Sequence, residues 1–269
     1  MRKLHDGPGI LILPNVWDVA SARVIEEAPF PALATTSAGI AASLGYCDGQ
    51  HISRDEMLQV VKRIVNAVKV PVTADVEAGY GSRPQDAAET AKAVMEVGAV
   101  GMNLEDSTGD AQQPLIDMAL QAEKIQAVRK AAEARGIPLV LNARTDVFLL
   151  AIGNAETRLE RAVERLRSYS AAGASCLFAP GVRDMATVLA LVRGLKAPLN
   201  ILVGPGSPTI PELQRAGVAR VSLGSSIARA ALTVARNAAQ ELLTNGTYST
   251  LEDALSYAEV NHLLERRGG

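Results

Sequence analysis

The chain has 269 residues, 48% of them hydrophobic and 21% charged, and its 27 Lys and Arg against 29 Asp and Glu give a net charge of −2. This balance is typical of a soluble globular protein with one α/β barrel or two smaller domains. A near-neutral charge without a basic run argues against nucleic-acid and anionic-membrane partners. Small molecules remain as the expected ligands.

The two cysteines and the lengths of the apolar segments indicate the cellular compartment of the protein. Cys47 and Cys176 are far apart and lack metal-type spacing, which is typical of reduced thiols in a cytoplasmic protein. No uncharged apolar run reaches about 18 residues, and the first residues do not read as an export signal. We therefore expect a cytoplasmic protein without a membrane span.

Short β-branched or apolar runs alternate with segments of helical periodicity along the chain. The eight predicted strands are 10–13, 32–36, 70–74, 100–104, 139–143, 176–179, 199–203 and 219–223. The helices that follow them are predicted near 18–28, 53–68, 85–97, 119–135, 156–172, 184–194, 209–216 and 225–243. Gly98, Gly173 and Gly217 each end a helix directly before the next strand.

Eight strand–helix units without a linker predict a single TIM (β/α)8 barrel domain over 1–269. The alternative is a doubly wound open sheet, but no Gly-x-Gly-x-x-Gly follows the first strand to support it. A further helix near 250–267 carries an apolar stripe, with acids early and Arg266 and Arg267 late. Since the eight barrel helices are expected to have partners already, this helix covers either its own barrel or a neighbouring subunit.

Carboxylates follow two neighbouring predicted strands, where a barrel carries its active site. Asp75 and Glu77 point the same way in an extended segment, and Glu105 lies one strand over. Three converging acids would repel one another unless a cation joined them, and oxygen ligands without His or Cys favour Mg²⁺ or Mn²⁺. The alternative is that some of these acids cap helices or pair with a surface lysine.

A basic side chain is predicted opposite these acids. Arg144 ends a strand, where its planar guanidinium suits a substrate carboxylate or a developing enolate oxygen. The alternative is a buried ion pair with Asp146 or Glu105. His5, His51 and His262 all lie away from the strand ends, so a histidine acid or base is not expected.

Weaker candidates complete the predicted site. Ser37, Ala38 and Gly39 offer consecutive backbone N–H groups for an oxyanion, although their composition is common in loops. Asp48 precedes a glycine and reads first as a turn residue. Asn200, at the beginning of the seventh strand, is a candidate substrate-binding residue.

Five ordered motifs together resemble the isocitrate lyase and phosphoenolpyruvate mutase superfamily over nearly the whole chain. They are 36–39 with 44–45, Asp48, 75–81 (Asp-Val-Glu-Ala-Gly-Tyr-Gly), 104–106 (Leu-Glu-Asp) and 143–146 (Ala-Arg-Thr-Asp). The resemblance implies a barrel whose last helix is exchanged between subunits, in a homodimer or homotetramer. It also implies Mg²⁺ and cleavage or formation of a C–C or C–P bond next to an α-keto carboxylate, through an enolpyruvate-like intermediate.

The resemblance assigns roles to individual residues. Asp75, Glu77 and Glu105 match the metal-site acids, with metal contact often through water, and Asp48 matches a further acid of that site. Arg144 matches the arginine that holds the substrate carboxylate. The segment Ser37, Ala38 and Gly39 matches the one that holds the oxygens of the keto acid.

Three departures narrow the expected activity. Asp75-Val76-Glu77 stands where family members usually have Asp-x-Asp, and residues 105–115 lack the Lys-Arg-Cys-Gly-His of the isocitrate lyase loop. Strand six ends in Phe178-Ala179-Pro180-Gly181, where members often place Glu or His. We therefore expect a magnesium-dependent C–C lyase for a small α-keto or 2-hydroxy dicarboxylate, and not a true isocitrate lyase. The alternatives are a mutase or hydrolase acting on a C–P bond, and a keto-acid-binding protein without turnover.

Overall fold

The computed structural model describes residues 1–5, 7 and 9–265. Its centre is one sheet of parallel strands that curves into a barrel. The strands are β1 (Leu11–Leu13), β2 (Asn15–Val16), β3 (Leu33–Thr35), β4 (Val72–Asp75), β5 (Gly101–Glu105), β6 (Val140–Arg144), β7 (Cys176–Phe178), β8 (Leu199–Leu202) and β9 (Arg220–Ser222). The predicted TIM-type barrel is confirmed.

The first strand extends beyond its predicted bounds of 10–13 and is divided in two at Pro14. Proline has no N–H to donate, so the strand ladder is interrupted there. β1 pairs with β9, and β2 pairs with β3, so the two halves of one strand join the last strand to the second. The nine short strands therefore make the eight-membered ring that the sequence predicts.

Helices surround this ring. They are α1 (Arg2–His5), α2 (Val19–Glu26), α3 (Ser37–Ser43), α4 (Arg54–Ala67), α5 (Pro84–Glu96), α6 (Met118–Ala134), α7 (Ala155–Ala171), α8 (Met185–Gly194), α9 (Ile210–Arg215), α10 (Ser226–Asn245) and α11 (Tyr257–Glu265). Side-chain caps fix several starts: Asp18 caps α2, and Ser53 forms a capping box with Glu56 at α4. The eight predicted barrel helices are all present.

Two helices were not predicted, and the last predicted helix is shorter than expected. The missed helices are α1 and α3, of which α3 has seven small or apolar residues and so shows no amphipathic period. The predicted helix at 250–267 begins only at Tyr257, after a 3₁₀ turn at Ser249–Leu251. Its predicted end at Arg266 and Arg267 lies outside the described residues.

The two faces of the barrel strands differ in polarity. Met102, Leu104 and Leu141 belong to the buried aliphatic layer between strands and helices. The alternate positions include Asn103 and Asn142, whose side chains hydrogen-bond to each other at 2.7 Å. Because side chains alternate along a strand, the inside of the barrel is polar while its outer wall is aliphatic.

The two C-terminal helices make different contacts. α11 packs on α2 of the same chain, where the Arg23 Nε donates to the Leu263 carbonyl at 2.9 Å. Only Ala228 and Ala238 are buried along the 20 residues of α10. The assumption that all eight barrel helices are covered by their own barrel was therefore wrong for α10. Whether α11 packs on a neighbouring subunit stays a prediction.

Within the described part of the chain, no helix combines the length and the apolarity that a membrane crossing requires.

Candidate active site

The site lies where three neighbouring strands end. Asp75 is the last residue of β4, Glu105 of β5 and Arg144 of β6. These strands pair in this order, so their last side chains meet at the carboxyl-end mouth of the barrel, where TIM barrels carry their chemistry.

Asp75 is buried and keeps one oxygen available. Its Oδ2 accepts the backbone N–H of Ser37 at 3.2 Å, and its own N–H donates to the Thr35 hydroxyl at 2.8 Å. Among the described residues, none donates a hydrogen bond to the buried Oδ1. A carboxylate oxygen left in this state is available to a cation or a substrate group.

Glu77 lies beside Asp75 in a strained turn. Its φ of 52° places it in the left-handed region that residues other than glycine rarely adopt. Gln50 N–H donates to one carboxylate oxygen, and the Tyr80 hydroxyl lies 3.4 Å from the other. Burial, followed by repulsion from Asp48 and Asp75, raises the pKa of Glu77 to about 7.

Gly79 lets this turn approach the neighbouring strand. Its φ is 90°, and a Cβ atom there would stand 2.9 Å from the Cδ1 of Leu104 on β5. Only glycine meets both conditions without strain. The turn that carries Glu77 is thereby held close to the end of β5.

Arg144 is held by two carboxylates. Its Nε and Nη2 donate to the two oxygens of Asp146 at 2.6 and 2.8 Å, and its Nη1 lies 2.6 Å from a Glu105 oxygen. The structure thus shows the alternative that the sequence left open, a buried ion pair, with both predicted partners. Burial raises the pKa of Glu105 well above its usual value, whereas Arg144 acts in the opposite direction.

Asp48 joins the cluster from the loop between α3 and α4. The residue as a whole is exposed, but its carboxyl group faces the other acids. Partial burial and then repulsion from Asp75 raise its pKa, while the Ser37 side chain and Arg144 lower it. Asp48 is therefore both a loop residue and a member of the carboxylate cluster, so the two roles considered for it from the sequence are compatible.

Ser37, Ala38 and Gly39 form the first turn of α3 instead of an open loop. Thr36 caps this helix by accepting the Gly39 N–H at 3.4 Å, and the Ser37 N–H is used by Asp75. A Cβ atom on Gly39 would lie 2.9 Å from the Trp17 Cβ, so close packing requires glycine there. Two of the three N–H groups proposed for an oxyanion thus already bind protein groups.

Asn200 lies deeper than the other candidates. It is the second residue of β8, fully buried, and its side chain donates to the Ser222 hydroxyl at 3.2 Å. This position is inside the barrel, below the strand ends. It gives no support to substrate binding by Asn200.

Asp106, to which the sequence patterns assign no role, holds the two residues that follow Arg144. The Asp106 carboxylate accepts from the Thr145 hydroxyl, the Asp146 N–H, the Arg165 Nε and the Tyr169 hydroxyl, all at 2.7–2.9 Å. Two features of the sequence could have indicated this network. They are the acid Asp106 directly after Glu105, and Arg165 among the buried positions of α7. Gln50 and Tyr80 gave no comparable signal, because they act through loop contacts.

The acids do not form a finished metal cage. Within the described residues, no three His, Cys, Asp or Glu side chains converge as direct ligands. Asp75 nevertheless has a free oxygen, and the pKa of Glu77 is raised by burial and then by the neighbouring Asp48 and Asp75 carboxylates. This combination fits a hydrated Mg²⁺ or Mn²⁺, which keeps several of its waters when proteins bind it.

Residues 1–243 match the sequence profile of the phosphoenolpyruvate phosphomutase family. The chain belongs to this family. A crystal structure from Burkholderia cenocepacia, provisionally described as a lyase or mutase, has 40% identity and a TM-score of 0.91 over 97% of this chain and 92% of that one. The predicted membership of the isocitrate lyase and phosphoenolpyruvate mutase superfamily is confirmed.

Two curated relatives have named activities. The 2-methylisocitrate lyase of Escherichia coli is 28% identical over 255 residues, covering 90% of this chain and 84% of that protein. The oxaloacetate decarboxylase of Bradyrhizobium diazoefficiens is 25% identical over 271 residues, covering 99% and 91%. The chain is thus an enzyme of a superfamily of lyases and mutases.

Proposed function

We propose that this enzyme cleaves a C–C bond in a small α-keto or 2-hydroxy dicarboxylate, with Mg²⁺ or Mn²⁺ as its metal. The observation that carries this proposal is the meeting of Asp75, Glu77 and Glu105 with Arg144 at one barrel mouth. Relatives named for 2-methylisocitrate and oxaloacetate chemistry support it, since both act on small carboxylates.

In this proposal Asp75, whose Oδ1 is free, would hold the metal together with Glu77 and Glu105, the last two through water. The metal would supply positive charge to the oxygens of a keto acid as an enolate forms. Arg144 binds the substrate carboxylate by exchanging part of its contact with Glu105. In the first turn of α3, the Ser37 hydroxyl and the Ala38 N–H would contact the oxygen on which charge develops, while the N–H groups of Ser37 and Gly39 stay with Asp75 and Thr36.

Few of the described side chains at the barrel mouth can donate a proton to the substrate. This favours a reaction that requires little proton transfer from the enzyme. The ring of Phe178 lies 5.9 Å from the Arg144 guanidinium, at the strand end where family members often place Glu or His. The loop at 105–115 folds on itself, with the Thr108 hydroxyl donating to the Gln113 carbonyl at 2.5 Å. Asp48, with its raised pKa, is our candidate acid or base.

The test is incubation of purified protein with Mg²⁺ and a panel of keto acids, hydroxy dicarboxylates and phosphonates, followed by mass spectrometry of the products. We expect metal-dependent C–C cleavage of at least one dicarboxylate, which a chelator abolishes and Mg²⁺ restores. The Asp75→Asn variant should lose this activity. Asp184→Asn makes the same change at the exposed N-cap of α8, where the amide oxygen can still accept the Thr187 N–H, and should retain it.

The other outcomes identify the alternatives. Cleavage or rearrangement of phosphonates alone would replace the proposal with a mutase or hydrolase acting on a C–P bond. Metal-dependent binding of oxalate or pyruvate without any turnover would indicate a keto-acid-binding protein. Equal binding with and without metal would contradict the assigned role of the carboxylates.

A further inference from the structure

Arg220 is a fully buried cation inside the barrel. It begins β9 and is the largest side chain that has no exposed surface. It stands in register with Asn200 of β8, and Ser222 two residues later contacts Asn200. Since alternate residues of a strand share a face, Arg220 points with Ser222 and Asn200 into the polar interior.

This guanidinium lacks the partners that Arg144 has. Among the described residues, no acceptor lies within hydrogen-bonding distance of its Nε or Nη1, and it takes part in none of the observed ion pairs. An unpaired buried charge is costly, and replacing it with an apolar residue is often neutral or stabilising. Its retention therefore calls for a benefit other than stability.

The surroundings of Arg220 indicate that benefit. Strand pairing runs in one row from Arg220 through Asn200 and Phe178 to Arg144, so Arg220 lies inside the same barrel as the carboxylate cluster. Burial lowers the pKa of Arg220, whereas Cys176 and Asp75 act in the opposite direction. Burial likewise raises the pKa of the Cys176 thiol, and the Arg220 charge lowers it. Arg144 is neutralised by Glu105 and Asp146, whereas no adjacent acid among the described residues cancels the field of Arg220.

We propose that Arg220 is a positioning residue whose buried positive charge favours the anionic substrate at the barrel mouth and opposes the metal cation. This proposal rests on the proposed function, because it assumes that a metal and a carboxylate bind above Asp75. If the proposal is correct, the Arg220 charge changes the affinities for metal and for substrate in opposite directions. Removal of the charge should strengthen metal binding and weaken substrate binding, since both ions feel the same field.

The test is the Arg220→Met variant, which keeps a long apolar side chain and removes the charge. Mn²⁺ affinity is measured by electron paramagnetic resonance without oxalate, and oxalate affinity by calorimetry with saturating Mg²⁺. We expect Mn²⁺ to bind roughly three- to tenfold more tightly and oxalate to bind weaker by a similar factor. The melting temperature should stay the same or rise.

Two further variants keep the test decisive. Arg220→Lys retains the charge and should bind both ions nearly as the wild type does, even if Arg220→Met folds poorly. Arg215→Met removes a charge from the exposed end of α9 and should change neither affinity.

The possible failures are distinguishable. If the wild type binds both ions and Arg220→Met weakens both in parallel, Arg220 has only a structural role and the assignment falls. If Arg220→Lys, which keeps the charge, shifted both affinities as Arg220→Met does, a role for the charge would equally be contradicted. If the wild type binds neither Mn²⁺ nor oxalate, the proposed function falls, and this assignment falls with it.

Discussion

The Arg144 guanidinium presents its N–H groups as a planar fork, which fits the two oxygens of Asp146 at 2.6 and 2.8 Å. A lysine ammonium cannot reproduce two parallel hydrogen bonds. We expect Arg144→Lys to weaken oxalate binding at saturating Mg²⁺ at least about tenfold, from the loss of roughly 1.5–3 kcal/mol. Calorimetry measures this change.

Arg158→Lys is the matched control, because Arg158 donates to backbone carbonyls after β6 and away from the carboxylates. Its oxalate affinity should equal that of the wild type. An unchanged dissociation constant in Arg144→Lys would assign Arg144 to the support of Asp146 and Glu105 alone.

Glu77 makes the stability of the metal-free protein depend on pH. The folded protein holds this proton up to about pH 7, whereas a free glutamate releases it near 4.5. Between these values the folded state binds more protons than the unfolded state, so raising the pH lowers the free energy of unfolding. The whole effect is on the order of 3 kcal/mol.

Urea unfolding in the presence of chelator at pH 5 and pH 7.5 measures this loss. Glu77→Gln should flatten the dependence, and excess Mg²⁺ should offset it by binding the ionised acids. A wild-type stability that rises across this range would contradict the crowding of carboxylates at the barrel mouth.

At the scale of elements, α6 holds the turn that carries the site. The Nζ of Lys124 is fully buried and donates to the carbonyls of Ala78 and Gly81 at 2.6 and 3.0 Å. Burial lowers its pKa to about 8. Lys124 thus links α6 to the segment that begins with Asp75 and Glu77.

We expect Lys124→Met to loosen this segment, because the two carbonyls lose their donor. Mn²⁺ should bind several-fold more weakly, and amide hydrogen exchange should rise at residues 78–81. Lys130→Met, on the exposed face of the same helix, is the control. Unchanged metal affinity in Lys124→Met would limit Lys124 to the stability of the helix–loop contact.

The regular elements were predictable because their signals are local. Apolar runs marked every strand except the two-residue β2, and the glycines at 98, 173 and 217 marked the transitions from helix to strand. α3 was not predicted because its seven small or apolar residues show no amphipathic period. The division of the first strand at Pro14 was not predicted because a proline at the end of an apolar run is equally typical of the end of a strand.

The site was predictable to the level of strand ends. Asp75, Glu105 and Arg144 end neighbouring strands, as the barrel pattern requires. The depth of Asn200 and the burial of Arg220 were not predictable, because sequence does not show which face of a fully buried strand points inward. The partners of Arg144 were left open for the same reason.

At the scale of the molecule, α10 leaves a large apolar surface uncovered. Leu232, Leu242 and Leu243 on this helix are 61%, 52% and 85% exposed, and Tyr257 beyond it is 85% exposed. Contiguous apolar surface of this kind marks a protein interface. We propose that α10 and the segment after it pack against a second copy of the chain in a homodimer or homotetramer.

We expect Leu242→Glu with Leu243→Glu to shift the protein toward monomers, because two charges would be buried at the contact. Size-exclusion chromatography with light scattering at micromolar concentration measures the mass. Ile137→Glu, at an exposed apolar residue in the turn between α6 and β6, should leave the mass unchanged. A wild-type protein that is monomeric under these conditions would contradict the proposed interface.

The side chain of Asn15 connects the first strand of the barrel to its neighbours on both sides. Its side-chain amide donates to the Thr35 carbonyl at 2.8 Å, and its oxygen accepts the N–H groups of Leu223 and Gly224, also at 2.8 Å. The proline-split strand is therefore joined to both neighbours at the mouth by one amide, in addition to its backbone pairing with β9 and β3. Substitution of Asn15 would remove three hydrogen bonds at the one place where the ring passes from its last strand to its first and second.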